Sequence, residues 1–238
     1  MNFKYFLNEE GKPVLQPKNK VELMKIIKDT IKEQGNNCDL NFIDTSKITD
    51  MSYLFYNTKF NGDISQWDVS NVKDMEHILG GTPFNGDISN WDVSKVENMS
   101  AMFTESKFNG DISKWNVSKV RNMSWLFCRS EFKGDISKWN VSSVENMDSM
   151  FKGSKFNGNI SKWNVSSVET MENMFSGSVF NGDISKWNVS KVKNMECMFE
   201  FSKFNKDISK WDVSSVKKMR GVFTHSQLEG NEPAWYKG

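Results

Sequence analysis

Residues 60–83 read FNGDISQWDVSNVKDMEHILGGTP, and the chain then repeats itself. Trp67 is followed by Trp91, Trp115, Trp139, Trp163, Trp187 and Trp211, at one constant interval and without slippage. A fixed period of this length marks a stack in which one supersecondary unit recurs and each copy buries its faces against its neighbours. The expected body is one elongated α/β solenoid of 24-residue coils.

Within the first regular coil the apolar positions are Ile64, Trp67, Val69, Val72, Met75, Ile78 and Leu79. The first three have the spacing LxxLxL of a leucine-rich-repeat strand, in which alternate side chains enter the core. The later set recurs at i, i+3, i+6 and i+7, which is helical spacing. Ser70 lies between them and is kept as Ser94, Ser118, Ser142, Ser166, Ser190 and Ser214. Serine is a good N-cap, and Glu97, Glu145 and Glu169 three residues later complete capping boxes. The coil therefore reads as a short parallel strand, a serine cap and a two-turn helix. The NGD sequence at 85–87 and its equivalents supply the next turn, with glycine free to take positive φ. The Met column from Met51 to Met219 reads as flexible core filling.

Outward from the repeats, residues 1–35 form a lead-in and cap. Residues 2–15, NFKYFLNEEGKPVL, suggest a short hairpin or an irregular entry. Residues 20–34 read as a helix, N-capped by Asn19 with Glu22 three residues later and stopped by Gly35. Its apolar stripe is Val21, Met24, Ile27 and Ile31, widened by Leu23 and Ile26. The solenoid occupies 36–226, and it begins with a degenerate coil at 38–58 in which Leu40, Ile43, Ile48, Met51 and Phe55 hold the core columns. Residues 227–238 form a half-coil cap, with Trp235 falling one full period after Trp211.

Composition excludes several classes. The net charge is +1, so no bulk field drives nucleic-acid or membrane binding. The three cysteines, Cys38, Cys128 and Cys197, form no CxxC pair and read as free thiols. His77 and His225 are the only histidines, and no GxSxG, P-loop or HExxH string occurs. No apolar run has signal-peptide or membrane-span length, which places the expected location in the cytoplasm, with a surface or secreted location the alternative.

The string FNGDISKWNVSKVxNMxxMF resembles the BspA-like leucine-rich-repeat family. Its repeats are also catalogued as a domain of unknown function in mycoplasma and other bacterial proteins. The match covers roughly residues 36–235. The resemblance implies a non-enzymatic protein of bacterial or phage origin, with no catalytic residues to carry over, and relatives that include surface adhesins.

Surface columns are the candidates for function. Lys114, Lys138, Lys162, Lys186 and Lys210 each precede a core Trp, point away from the core and form a basic stripe that could hold an anionic ligand. The same stripe could instead guard the sheet against aggregation. The neighbouring Asp/Asn column (Asp68 to Asp212) could hydrogen-bond from coil to coil. The copies differ most in the columns of residues 77 and 81, where Trp125 and Phe201 look exposed and read either as drift at unconstrained sites or as candidate binding anchors. The Asp of each NGD turn reads as a turn cap rather than a metal ligand. The expected function is a monomeric protein-interaction module for a protein partner, with no cofactor and no metal. A polyanion binder along the lysines is the alternative.

Overall fold

The computed structural model describes residues 5–7 and 13–237. The chain is a repeat fold. A hairpin and one helix lead into coils that stack in register, one sequence period per step. The isolated bridges run Asp50 to Asp74, Asp74 to Asn98, Asn98 to Asn122 and on to Lys218, all parallel.

The lead-in is a hairpin. Strand β1 (Tyr5–Leu7) pairs antiparallel with β2 (Pro13–Leu15), Phe6 opposite Val14. Residues 8–12, where the turn was expected, lie outside the described residues. Pro13 sits at the end of β2, where a missing N–H does least harm. Strand β2 then docks on the first coil, because Leu15 N–H bonds Phe42 C=O and Asp44 N–H bonds Leu15 C=O.

Helix α1 (Lys20–Gln34) starts and stops where its caps predict. Asn19 accepts the Glu22 N–H at 3.1 Å, and the Glu22 carboxylate reaches back to the Lys18 N–H at 2.9 Å. Gly35, at φ 87°, turns its N–H onto Ile31 C=O. The buried face differs from the expected stripe. Leu23, Ile26, Ile27 and Thr30 face the first coil, while Val21 and Met24 are exposed. Lys20 fits this rotation, since its ammonium binds the Asp50 carboxylate and the Ser52 hydroxyl of the first coil.

The strand and the Ser-capped helix expected in every coil are absent. Among the described residues the only regular elements are β1, β2 and α1. Each coil is instead a succession of β-turns. In the coil beginning at Phe108, the N–H groups of Trp115, Val120, Leu126, Cys128 and Ser130 each bond the carbonyl three residues earlier. The turns from Ile112 to Trp115, Val117 to Val120 and Met123 to Leu126 carry both apolar ends inward. Their succession produces the spacing read as strand and then helix.

Three local readings change with it. Ser118 is not an N-cap, since its N–H and hydroxyl both go to the Asn116 side chain. The Asp/Asn column therefore works locally, opening a turn, rather than coil to coil. The glycine of the NGD turn has no positive φ in the coils. It is there for closeness, because a Cβ on Gly134 would lie 2.7 Å from the Phe132 ring.

The alternate backbone donors supply the stacking. Met123, Trp125, Phe127 and Arg129 each send their N–H to a carbonyl of the following coil, at 2.7–2.9 Å. A helix would have consumed these donors internally. The core lies inside the coils as continuous columns. Phe108, Val120, Met123, Leu126 and Phe127 are fully buried, and Trp115 is nearly so. Equivalent rings stack nearly parallel, 5.7 Å apart for Phe103 and Phe127 but 6.4 Å for Trp91 and Trp115. The coils are thus closest on the bridge side and more widely spaced on the Trp side.

The two ends follow the repeat. Leu40, Ile43, Ile48, Met51 and Phe55 are buried in the degenerate first coil. At the other end Trp235 stacks on Trp211 at 6.3 Å and donates its indole N–H to Ile208 C=O at 2.9 Å.

Candidate functional site

Two positions in each coil carry left-handed backbone, and the candidate surface is built on them. They are the columns of residues 77 and 81. In the Trp125 coil, the turn from Met123 to Leu126 has Trp125 at its third position with φ 60°. The turn from Phe127 to Ser130 has Arg129 there with φ 52°. A positive φ at the third position is the signature of a type II turn and suits Gly or Asn. Gly81, Gly153, Gly177 and Gly221 obey this, as do Asn57 and Asn173. The other ten do not, and Trp125 and Phe201 (φ 54°) are among them with Tyr53, His77, Ala101, Glu105, Arg129, Ser149, Cys197 and His225. A side chain with a Cβ in this region costs roughly 1–2 kcal/mol. These aromatics are held where the backbone prefers residues without one.

Exposure of large apolar side chains centres on the same columns. The large apolar side chains exposed on the coils are Tyr53, Tyr56, Trp125, Val179 and Phe201. Tyr53 and Trp125 stand in the column of residue 77, Tyr56 one place before the column of residue 81, Phe201 in that column, and Val179 two places beyond it. All five fall within the positions equivalent to 77–83, a strip that follows the bridge column of residue 74. Trp125 is 44% exposed, whereas Trp115 and Trp139 in the core are 4% exposed.

The strip has polar company. Arg121 bonds Glu145 of the next coil at 2.5 Å, and Arg129 bonds Glu105 of the previous coil at 2.9 Å. Near the first coil, His77 stacks on Tyr53 at 4.9 Å, and its Nδ1 is buried without a hydrogen-bond partner. Burial lowers the His77 pKa. Tyr53 donates to the Glu76 carboxylate at 2.7 Å, which pushes its pKa up to about 12. Towards the other end Phe201 stacks on His225 at 4.7 Å.

The family described as Mycoplasma protein of unknown function, DUF285, matches residues 23–131 and, a second time, residues 122–235. The chain belongs to this family. No curated protein and no solved structure matches it. The DUF285 matches take in all the coils and most of α1, so the aromatic strip and the lysine column both lie within the family unit.

In this DUF285 chain, Lys114, Lys138, Lys162, Lys186 and Lys210 are all exposed, in the turn before each core Trp and outside the strip positions. They do not lie on a strand. Each is the third residue of the turn that closes on Trp, and its side chain leaves the coil because the turn's ends occupy the core. An Asp stands three residues before all of them but Lys162. The serine N–H two residues on, and then the nearby ammonium, keep the carboxyls of Asp111, Asp135, Asp183 and Asp207 low. The basic stripe is thus matched by an acidic one. The structure brings Trp125 and Phe201 onto one surface and leaves the lysines on another. Sequence reading missed Tyr53 and Tyr56 as members of the strip. Shifting the degenerate first coil by one period would have found Tyr53, which falls on His77.

No helix among the described residues is long and apolar enough to cross a membrane, and no group of three or more His, Cys, Asp or Glu is placed to hold a metal ion.

Proposed function

We propose that this DUF285 chain is a non-enzymatic protein-interaction solenoid that presents its aromatic strip to a macromolecular partner. The observation that carries the reading is the confinement of Tyr53, Tyr56, Trp125, Val179 and Phe201 to one strip of the coils. Exposed aromatics are enriched among residues that dominate protein interfaces. The parallel columns supply a rigid support, and affinity gains when the binding residues are already ordered. A kinship with BspA-like repeat proteins would fit this role. A surface or secreted location, as in adhesins, and a cytoplasmic one suit the strip equally.

The test is site-specific photo-crosslinking in the native cell. A photoreactive phenylalanine analogue is placed at Phe201 in one variant and at Lys138 in another. Adducts to a protein from position 201 and none from 138 are expected. Adducts from 138 alone would move the binding face to the lysine turns and sink the reading.

A further inference from the structure

The centre of the strip has a composition found nowhere else in the chain. Of 31 basic residues only Arg121, Arg129 and Arg220 are arginine. Two of the three flank Trp125 at four residues on either side, in the same coil. Arg220 stands alone in the last coil, the remaining exposed basic positions of the coils are lysine, and the other tryptophans are buried or partly buried. Arg and Trp are the residue types that most often carry binding energy at interfaces.

From this cluster, and resting on the interaction reading above, we infer that Arg121, Trp125 and Arg129 form the central contact for a partner segment with an apolar side chain between carboxylates. The indole offers the apolar platform. Each guanidinium has five donors in a planar fork and fits a carboxylate in two-point fashion. Arg121 and Arg129 each spend Nη1 on one neighbouring glutamate, Glu145 and Glu105. These single bonds hold each guanidinium in place and leave most of its donors for a partner. Both arginines are 64% exposed, so a carboxylate reaches them without rearrangement of the coil.

The arrangement also has a direction. The cations share the tryptophan's own coil, and the glutamates sit one coil away on opposite sides. An acid–apolar–acid segment crossing the stack along the Trp125 coil therefore meets arginine at both ends. A basic segment on the same path meets like charge at both ends.

The test uses three labelled peptides that differ only around a central Leu-Phe pair, flanked on each side by two Asp, two Lys or two Ser. Binding to the full chain is followed by fluorescence polarisation. The Asp peptide is expected to bind. Trp125→Gly should weaken it at least about tenfold, and Arg121→Lys with Arg129→Lys should do the same by keeping charge and losing the fork. Failure of the Asp peptide to bind overturns the inference, as does equal binding of the Lys peptide. If the Ser peptide binds as tightly and Trp125→Gly alone weakens it, the acidic partner is overturned while the aromatic strip stands. If Trp125→Gly changes nothing for any peptide, the strip falls as well.

Discussion

The indole N–H of Trp139 donates to the backbone carbonyl of Ile112, 27 residues earlier and 3.1 Å away. The same oxygen accepts the N–H of Trp115, which closes its own turn at 3.2 Å. Both lone pairs of a buried carbonyl are thereby used, one within the coil and one between coils. The bond recurs from Trp67 on Leu40 to Trp235 on Ile208, so every core tryptophan ties its coil to the one before.

Trp139→Phe keeps a ring in the column and removes this donor. Loss of one buried bond and part of the ring volume should destabilise the fold by about 1–3 kcal/mol. The urea midpoint checks it, and an unchanged midpoint would show that the indole N–H contributes nothing.

Phe199 and Phe201 should respond in opposite ways. Phe199 is fully buried, and Phe199→Ala should cost about 3–5 kcal/mol. Phe201 is 60% exposed at φ 54°, so Phe201→Gly trades a strained backbone and its stack on His225 for glycine's extra chain entropy. Stability should stay within about 1 kcal/mol of wild type. Paired denaturation curves decide the matter, and a large loss at Phe201 would mean that the aromatic supports the fold.

Acid should loosen the coils through the turn-opening aspartates. Asp63, Asp87, Asp111, Asp135, Asp183 and Asp207 are lowered from 3.8, first because each accepts the N–H of the serine two residues on. A folded value below the unfolded one gives stability that is complete above 3.8 and is lost as pH falls through the folded values. Asn159 holds the same turn without a charge, bonding the Ser161 N–H at 3.0 Å. Asp→Asn at Asp111, Asp135 and Asp183 should therefore flatten the fall in urea midpoint between neutral pH and pH about 3.

Asp148 should behave in the reverse sense. Burial raises its pKa, although Thr170 and the Glu172 N–H donate to it. A raised carboxyl favours the fold while protonated and weakens it as pH rises from 3.8 through the folded value. Asp148→Asn should be at least as stable as wild type at neutral pH, with the difference closing in acid. Thermal melts across pH measure this, and a variant less stable at neutral pH would refute it.

The lysine turns offer a contrast with the strip. Lys138→Gln, Lys162→Gln and Lys186→Gln together should leave stability within about 0.5 kcal/mol per site, since exposed positions away from special contacts matter little. Binding of a partner recovered through the strip should also persist in a pull-down with this variant. Loss of that binding would give the lysines a direct role.

Much of the architecture was legible because it depends on period alone. The constant spacing sets which residues stack, so Ile64, Trp67, Val72, Met75 and their copies could be assigned to the core without coordinates. The caps of α1 were legible because Asn19, Glu22 and Gly35 act within a few residues of one another. The facing of α1 was not, because it depends on contacts distant in sequence: Leu23, Ile26 and Ile27 pack into the core, and Lys20 pairs with Asp50 across 30 residues. A signal for the turns was read only at the NGD aspartate: an Asp directly precedes Ile64, Val69 and Met75 alike. In each case its side chain takes the N–H two residues on.

The amino-acid pattern thus determined the repeat, its core columns and its ends, for these follow from which side chains avoid water. Tertiary structure alone decided that Met75 to Ile78 is a turn rather than the start of a helix. Apolar residues at i and i+3 suit both. What separates them is the destination of the N–H groups of Met75 and His77, which go to Asn98 and Ser100 of the next coil. That choice puts residues 77 and 81 in left-handed backbone, and it sets Trp125 and Phe201 on one surface.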